Sequence, residues 1–227
     1  APTGTPGNWN LWAGWRNQNG GLHQFVTEPL WTLNPNVIEG GIINALAAQP
    51  PLYNEDFTRL TIKLRDGIYW SDGIPFTAED VVYTILTVRD TPGLVFHGQM
   101  QDVKDARAVD KLTVIVELKK PNSRFHLAFL ERWNALRPMP KHIFEQVENV
   151  MAFKFHPPVS LGPYVYKDHD PAGYWVLWQK RDDWKRTVTG KLFGEPKPDY
   201  ILFINYGPPE KEIMATVSYT HLRAHET

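Results

Sequence analysis

The chain has 227 residues, with 24 Lys and Arg against 25 Asp and Glu, 42% hydrophobic residues and no cysteine. That length makes one large domain or two small ones, and the missing thiol excludes a disulfide scaffold, a thiolate metal site and a cysteine nucleophile. A formal net charge of −1 leaves no basic footprint for nucleic acid, and no apolar run approaches the roughly 20 residues of a membrane span.

Residues 1–21 are rich in Gly, Asn, Pro and Trp without a clean period, and read as loop with one short strand at most. More regular character over 22–33 ends in turn signals at Asn34-Pro35-Asn36 and Glu39-Gly40-Gly41. A short apolar stretch over 42–48 closes at Pro50-Pro51. Leu60, Ile62 and Leu64 alternate with polar residues, which predicts a half-buried strand over 59–64. Asp66-Gly67 and Asp72-Gly73 follow as turn signals around Tyr69-Trp70.

Thr77-Ala78-Glu79-Asp80 places a hydroxyl three residues before a carboxylate, a capping box with Asp in the usual Glu position. Phe76 stands ready as its hydrophobic staple, and Val81, Val82, Ile85 and Leu86 share one face of the helix that follows. Alternation returns in Leu112, Val114, Val116 and Leu118. Helices are expected over 123–133 and 141–150, the second with Pro140 at its first position. A hairpin pairs 164–168 with 174–180 around Pro171-Ala172-Gly173, and an apolar strand covers 200–205. Strands and helices mix without strict alternation, so the fold class is mixed α/β, of α+β type. There are no internal repeats.

The run from Leu60 to Tyr83, with Arg65-Asp66-Gly67, Trp70-Ser71-Asp72-Gly73, Pro75-Phe76-Thr77 and Glu79-Asp80-Val81-Val82, is similar to the signature of family 5 extracellular solute-binding proteins. These are the oligopeptide, dipeptide, nickel and oligosaccharide receptors of ABC importers. The resemblance continues in family order through Glu28-Pro29-Leu30, Leu118-Lys119-Lys120-Pro121-Asn122, Pro140-Lys141-His142-Ile143, Gly162-Pro163-Tyr164, Arg181-Asp182-Asp183-Trp184 and Lys197-Pro198-Asp199-Tyr200-Ile201. It covers about residues 20 to 210.

The resemblance implies a periplasmic-binding-protein-like fold with an extra small domain. Residues 1–40 and 160–207 would form parts of the first lobe and 41–159 the small domain. Residues 208–216 would begin the hinge and second lobe, the rest of which lies outside this sequence. Residues 217–227 resemble the in-frame translation of a transposase adapter used in DNA library preparation, so the natural sequence is expected to stop near Thr216. That reading removes His221 and His225, spaced i, i+4, as zinc ligands, and no metal is expected.

The implied function is capture of a small oligomeric solute, peptide or sugar, outside the cytoplasmic membrane, and its delivery to permease subunits. The expected protein is monomeric, periplasmic or extracellular and membrane-associated, with no cofactor and no nucleic-acid partner. Trp9, Trp12, Trp15 and Trp31 are candidates for a cleft lining, where flat indoles stack on sugar rings or take apolar side chains. The bland reading makes them core, the role also expected of Trp70, Trp133, Trp175, Trp178 and Trp184. Glu28, with Leu30 and Trp31 beside it, is expected at a cleft edge whose backbone pairs with an extended ligand. His97 is a candidate to project over the cleft from the small domain.

An enzyme needs a catalytic constellation. Asp66 and Asp72 as paired acid and base are the alternative, a carbohydrate-active enzyme. Both precede Gly in turns, and the sequence holds no Gly-x-Ser-x-Gly elbow, phosphate loop or His-Glu-x-x-His run. No enzymatic activity is expected. A cytoplasmic interaction domain is the third reading.

Overall fold

A computed structural model describes residues 7–14, 17, 20–34, 41–131 and 135–205. Its elements are β1 (Trp31–Leu33), β2 (Ile42–Asn44), β3 (Leu52–Tyr53), β4 (Arg59–Lys63), α1 (Ala78–Asp90), α2 (His97–Met100), β5 (Val103–Asp110) and β6 (Thr113–Leu118). They continue with β7 (Leu130–Glu131), α3 (Lys141–Phe144), β8 (Tyr164–His169), β9 (Trp175–Lys180), α4 (Val188–Leu192) and β10 (Tyr200–Ile204). The strands form three sheets, ordered β2-β1-β7, β3-β4-β6-β5 and β10-β9-β8.

The four-stranded sheet rests on the alternation visible in the sequence. Leu60 and Ile62 of β4 and Val114 and Val116 of β6 turn inward, in a register that pairs Leu60 with Val116 and Ile62 with Val114. Burial of each such side chain is worth about 1.5–3 kcal/mol. Gly67 and Gly73, at φ +69° and +89°, close the two Asp-Gly turns in the left-handed region that glycine tolerates.

The helix α1 starts where the capping box places it. Asp80 Oδ2 accepts the Thr77 amide at 2.8 Å, and Val81, Val82, Ile85 and Val88 enter the core. Asp80 serves a second element as well, since its Oδ1 accepts the Lys141 amide at the start of α3. Thr84 repeats the device one turn later: its hydroxyl donates to Asp80 O and accepts from the Met139 amide.

Arg181 ties the signature block to the β8–β9 hairpin. Its guanidinium is buried and donates to the carbonyls of Tyr69, Trp70 and Ser160, while Asp183 accepts from Nε and Nη2 at 2.8 Å each. The charge therefore leaves water only with its hydrogen bonds supplied.

Several expectations change. The helix expected over 123–133 is a 3-10 turn, Phe125–Phe129, followed at once by β7. The helix expected over 141–150 is the single turn α3 with Pro140 as its N-cap, because Glu145, Gln146, Glu148 and Asn149 are exposed and leave no apolar stripe to bury. β5 lacks a sequence signal. The sheet β2-β1-β7 joins residues on both sides of the boundary expected at 40/41, which falls between the paired strands β1 and β2.

Candidate functional site

Thr32 of β1 stands opposite Ile43 of β2 and Glu131 of β7. Side chains directly opposite one another share a face of the sheet. These three line an open cavity of about 200 Å³, completed by α4 and by the π-helical turn Leu22–Val26 with the residues after it. His23, Glu28, Arg137 and Thr189 bring the polar groups.

Arg137 lines the cavity from the segment before α3. That segment is held by Leu136 N donating to Ala128 O at 2.7 Å and by the Trp12 indole donating to Arg137 O at 2.8 Å. The Arg137 side chain is 2% exposed and donates through Nη2 to Glu131 Oε2. Among the described residues its Nε and Nη1 have no hydrogen-bond partner, and neither does His23 Nε2.

Burial pushes the Glu28 carboxyl up to about 7, against the pull of the Arg137 charge and a bond from the Thr189 hydroxyl. Burial and the same charge push His23 down to about 4, which makes it a neutral imidazole at pH 7. The site therefore combines the Arg137 guanidinium, the Glu131 carboxyl group paired with it, and a Glu28 carboxyl that burial holds well above the usual carboxylate range. Such a set offers hydrogen bonds and charge to a polar solute, with no nucleophile–base pair.

Of the six expected ligand residues, the structure brings Glu28 to this cavity and places the other five elsewhere. Trp9 has no exposed surface: it stacks on His156 at 4.8 Å and meets Tyr166 and His169 on its other sides. Trp12 is buried with its edge toward Phe144, and Trp31 is buried with its indole donating to Gln49 O. None presents an open ring face for stacking. Leu30 lies in the core, and β1 has β2 on one edge and β7 on the other. A ligand strand consequently finds no free edge on β1. His97 places Nδ1 2.9 Å from Val88 O. Trp15, Trp133 and residues 206–227 lie outside the described residues.

Asp66 and Asp72 have local duties. Asp66 Oδ1 accepts the Gly67 amide, and Asp72 accepts the Ile74 amide and lies against His142. Sequence reasoning missed Arg137, His23 and Thr189. The available signal was an arginine set in an apolar, proline-bounded run, Ala135-Leu136-Arg137-Pro138-Met139-Pro140.

Residues 41–216 match the model for bacterial extracellular solute-binding proteins, family 5, middle region, and the chain belongs to that family. A periplasmic alpha-galactoside-binding protein of Rhizobium meliloti is 30% identical over 183 residues, which are 77% of this chain and 25% of that protein. Among solved structures, a putative peptide binding protein AppA from Clostridium difficile superposes with a TM-score of 0.72 at 27% identity, covering 97% of this chain and 42% of that one. The mannohexaose-bound periplasmic oligopeptide-binding protein from Thermotoga maritima superposes at 0.75 and 25% identity, covering 90% and 36%. The chain thus spans about a fifth to three tenths of the curated relatives it matches and about two fifths of these solved chains. The mixed α/β architecture is the periplasmic-binding-protein-like one. Proteins of this family bind small solutes and serve ABC importers. Among the described residues, no helix is long and apolar enough to cross a membrane.

Proposed function

We propose that this chain contributes part of the solute-binding site of an ABC-importer receptor that captures an oligopeptide or an oligosaccharide outside the cytoplasmic membrane. The observation that carries this reading is the open polar cavity built on Thr32, Glu131, Glu28 and Arg137 within a family 5 chain. Both solute classes have support among the relatives: one is a peptide-binding protein by description, another binds alpha-galactosides and a third holds mannohexaose. The mechanism is conformational. A solute that favours a closed arrangement shifts an existing open–closed equilibrium by its differential affinity, and the permease reads the closed form.

Residues 1–40 and 160–207 are assigned to the first lobe and 41–159 to the small domain, the two meeting in the sheet β2-β1-β7. The test is a solute panel of short peptides, mannohexaose and alpha-galactosides, followed in amide spectra of the chain. One class is expected to shift residues around the cavity, weakly and saturably. A panel in which neither class shifts any amide overturns the receptor reading.

A further inference from the structure

We propose that the groove between α2 and the 3-10 turn Phe125–Phe129 is a docking surface for the permease, taking one apolar side chain and a neighbouring carboxylate from an acidic loop. This deepens the receptor reading and rests on it.

The groove is open and holds about 260 Å³, less than the roughly 300–1,000 Å³ of pockets that enclose a small molecule. That space suits a single side chain presented by a larger partner. Phe96, Phe125, Leu127 and Ala128 supply the apolar lining, and Asp102 and Arg124 stand among the polar residues. Leu127 is 48% exposed although Phe125, Ala128 and Phe129 of the same turn are buried. A small apolar centre with a polar rim is the anatomy of a protein interface. The walls are set before any partner arrives. Asn122 N donates to Phe57 O, Lys119 N to Asp102 O and Arg124 N to Asn122 Oδ1. Phe96 lines the groove from a left-handed backbone, φ +70°, which a bulky residue keeps only where its surroundings hold it.

Charge selects the partner. Asp102 is already answered: Lys120 Nζ lies 3.2 Å from its Oδ1, and Asn122 Nδ2 donates to its Oδ2. The exposed Arg124 guanidinium has no hydrogen bond or ion pair among the described residues. One cation is therefore left over at the rim, which attracts a carboxylate and repels a basic segment. The turn that carries Leu127 leads straight into β7, whose Glu131 lines the solute cavity. A partner seated in the groove thus grips the chain beside the element that borders that cavity.

The test follows amide spectra of the chain with three probes: N-acetyl-Gly-Leu-Glu-Glu-Gly-amide, its counterpart with two lysines for the glutamates, and isovalerate. The acidic peptide is expected to shift the amides of Gln99, Leu127 and Ala128 and to bind about fivefold more tightly than the basic one. Salt at about 1 M should remove that preference. Arg124→Glu should reverse the order of the two peptides, and Leu127→Ser should weaken the acidic one by about fivefold. Both side chains are exposed, so the variants keep the fold. Equal binding of the two peptides overturns the inference. So do groove amides that move as far with isovalerate, the mark of a small-molecule site, or with protein concentration alone, the mark of an interface between copies. If the acidic peptide shifts only amides around Thr32 and Glu131, it binds as a solute: the docking surface fails and the receptor reading survives. If it shifts the groove while the solute panel shifts nothing, the groove stands as a site for acidic segments and the receptor reading fails.

Discussion

His142 Nε2 lies 2.7 Å from Asp72 Oδ2, joining two motifs that are 70 positions apart in the chain. Asp72 closes the turn after Trp70, and His142 stands in the first turn of α3. The pair binds one end of the signature block to the Pro-Lys-His segment, while Asp80 and Thr84 bind the other end. Both side chains are partly exposed, so their coupling belongs with surface pairs, worth about 0–1 kcal/mol. Asp72→Ala should lower stability by about 1 kcal/mol, counting the lost Ile74 bond, and Asp72→Asn by less than half of that. A double-mutant cycle with His142→Ala, followed by urea unfolding, measures the pair directly. The Asn variant also probes the paired-carboxylate alternative. The relatives are solute-binding proteins, and hydrolysis abolished by Asp72→Asn is the result that would revive an enzyme.

Arg181 carries a larger share of the fold. Four backbone carbonyls, those of Tyr69, Trp70, Ser160 and Gly162, accept from one buried guanidinium, whose charge Asp183 offsets. Arg181→Met removes the charge but strands those carbonyls and Asp183, and should cost about 3–5 kcal/mol. Arg181→Lys keeps the charge and loses the planar fork, so it should recover only part of that loss. Thermal unfolding of the two variants checks the order. Equal stability of Lys and wild type would mean that charge alone matters there.

Much of the fold was written in local pattern. The alternation of Leu60, Ile62, Val114 and Val116 and the Thr77–Asp80 cap each depend on neighbours within a few residues, and each matches the structure. β5 escaped notice because Lys104, Asp105 and Arg107 are exposed and two register shifts break its period of two. The site was harder to see. Glu28 came through the Glu-Pro-Leu resemblance, but Arg137 becomes a site residue only once Glu131 and Glu28 surround it. The tryptophans show the same limit in reverse, since Trp9, Trp12 and Trp31 have the composition of a cleft and the burial of a core.

Gly162 is required by a close approach. A Cβ there would lie 2.2 Å from Phe25 O and 2.7 Å from Phe25 C, and both atoms are backbone. The amides of Leu161 and Gly162 both donate to Val26 O at 2.9 Å, which presses the two segments together. Gly162→Ala must separate them, stretching those bonds and the Ser160 hydroxyl bond to Val26 O. The expected cost is about 2–3 kcal/mol, in the range of overpacked sites. Hydrogen exchange should show faster opening at Leu161 and Gly162 than in wild type. Unchanged exchange there would show that the turn before Val26 yields freely.

Glu28 and His23 give the chain opposing responses to pH. Glu28 rises from 4.5 to about 7 on folding, so between those values the folded chain holds more proton and stability falls as pH rises. His23 drops from 6.5 to about 4, so across that window the unfolded chain holds more proton and stability rises with pH. Across the range they share the two slopes oppose each other, and towards pH 7 the Glu28 slope is the one of the two that remains. Glu28→Gln removes one slope and leaves the other. The variant should gain stability relative to wild type as pH rises from about 4.5 to 7, by at most about 3 kcal/mol. His126 and His156, which burial also holds below the usual imidazole range, titrate in both proteins and cancel in the comparison. Urea unfolding at intervals of half a pH unit gives the difference curve. A flat difference would mean that Glu28 titrates alike in the folded and unfolded chains, and that its place beside Arg137 is wetter than the structure makes it.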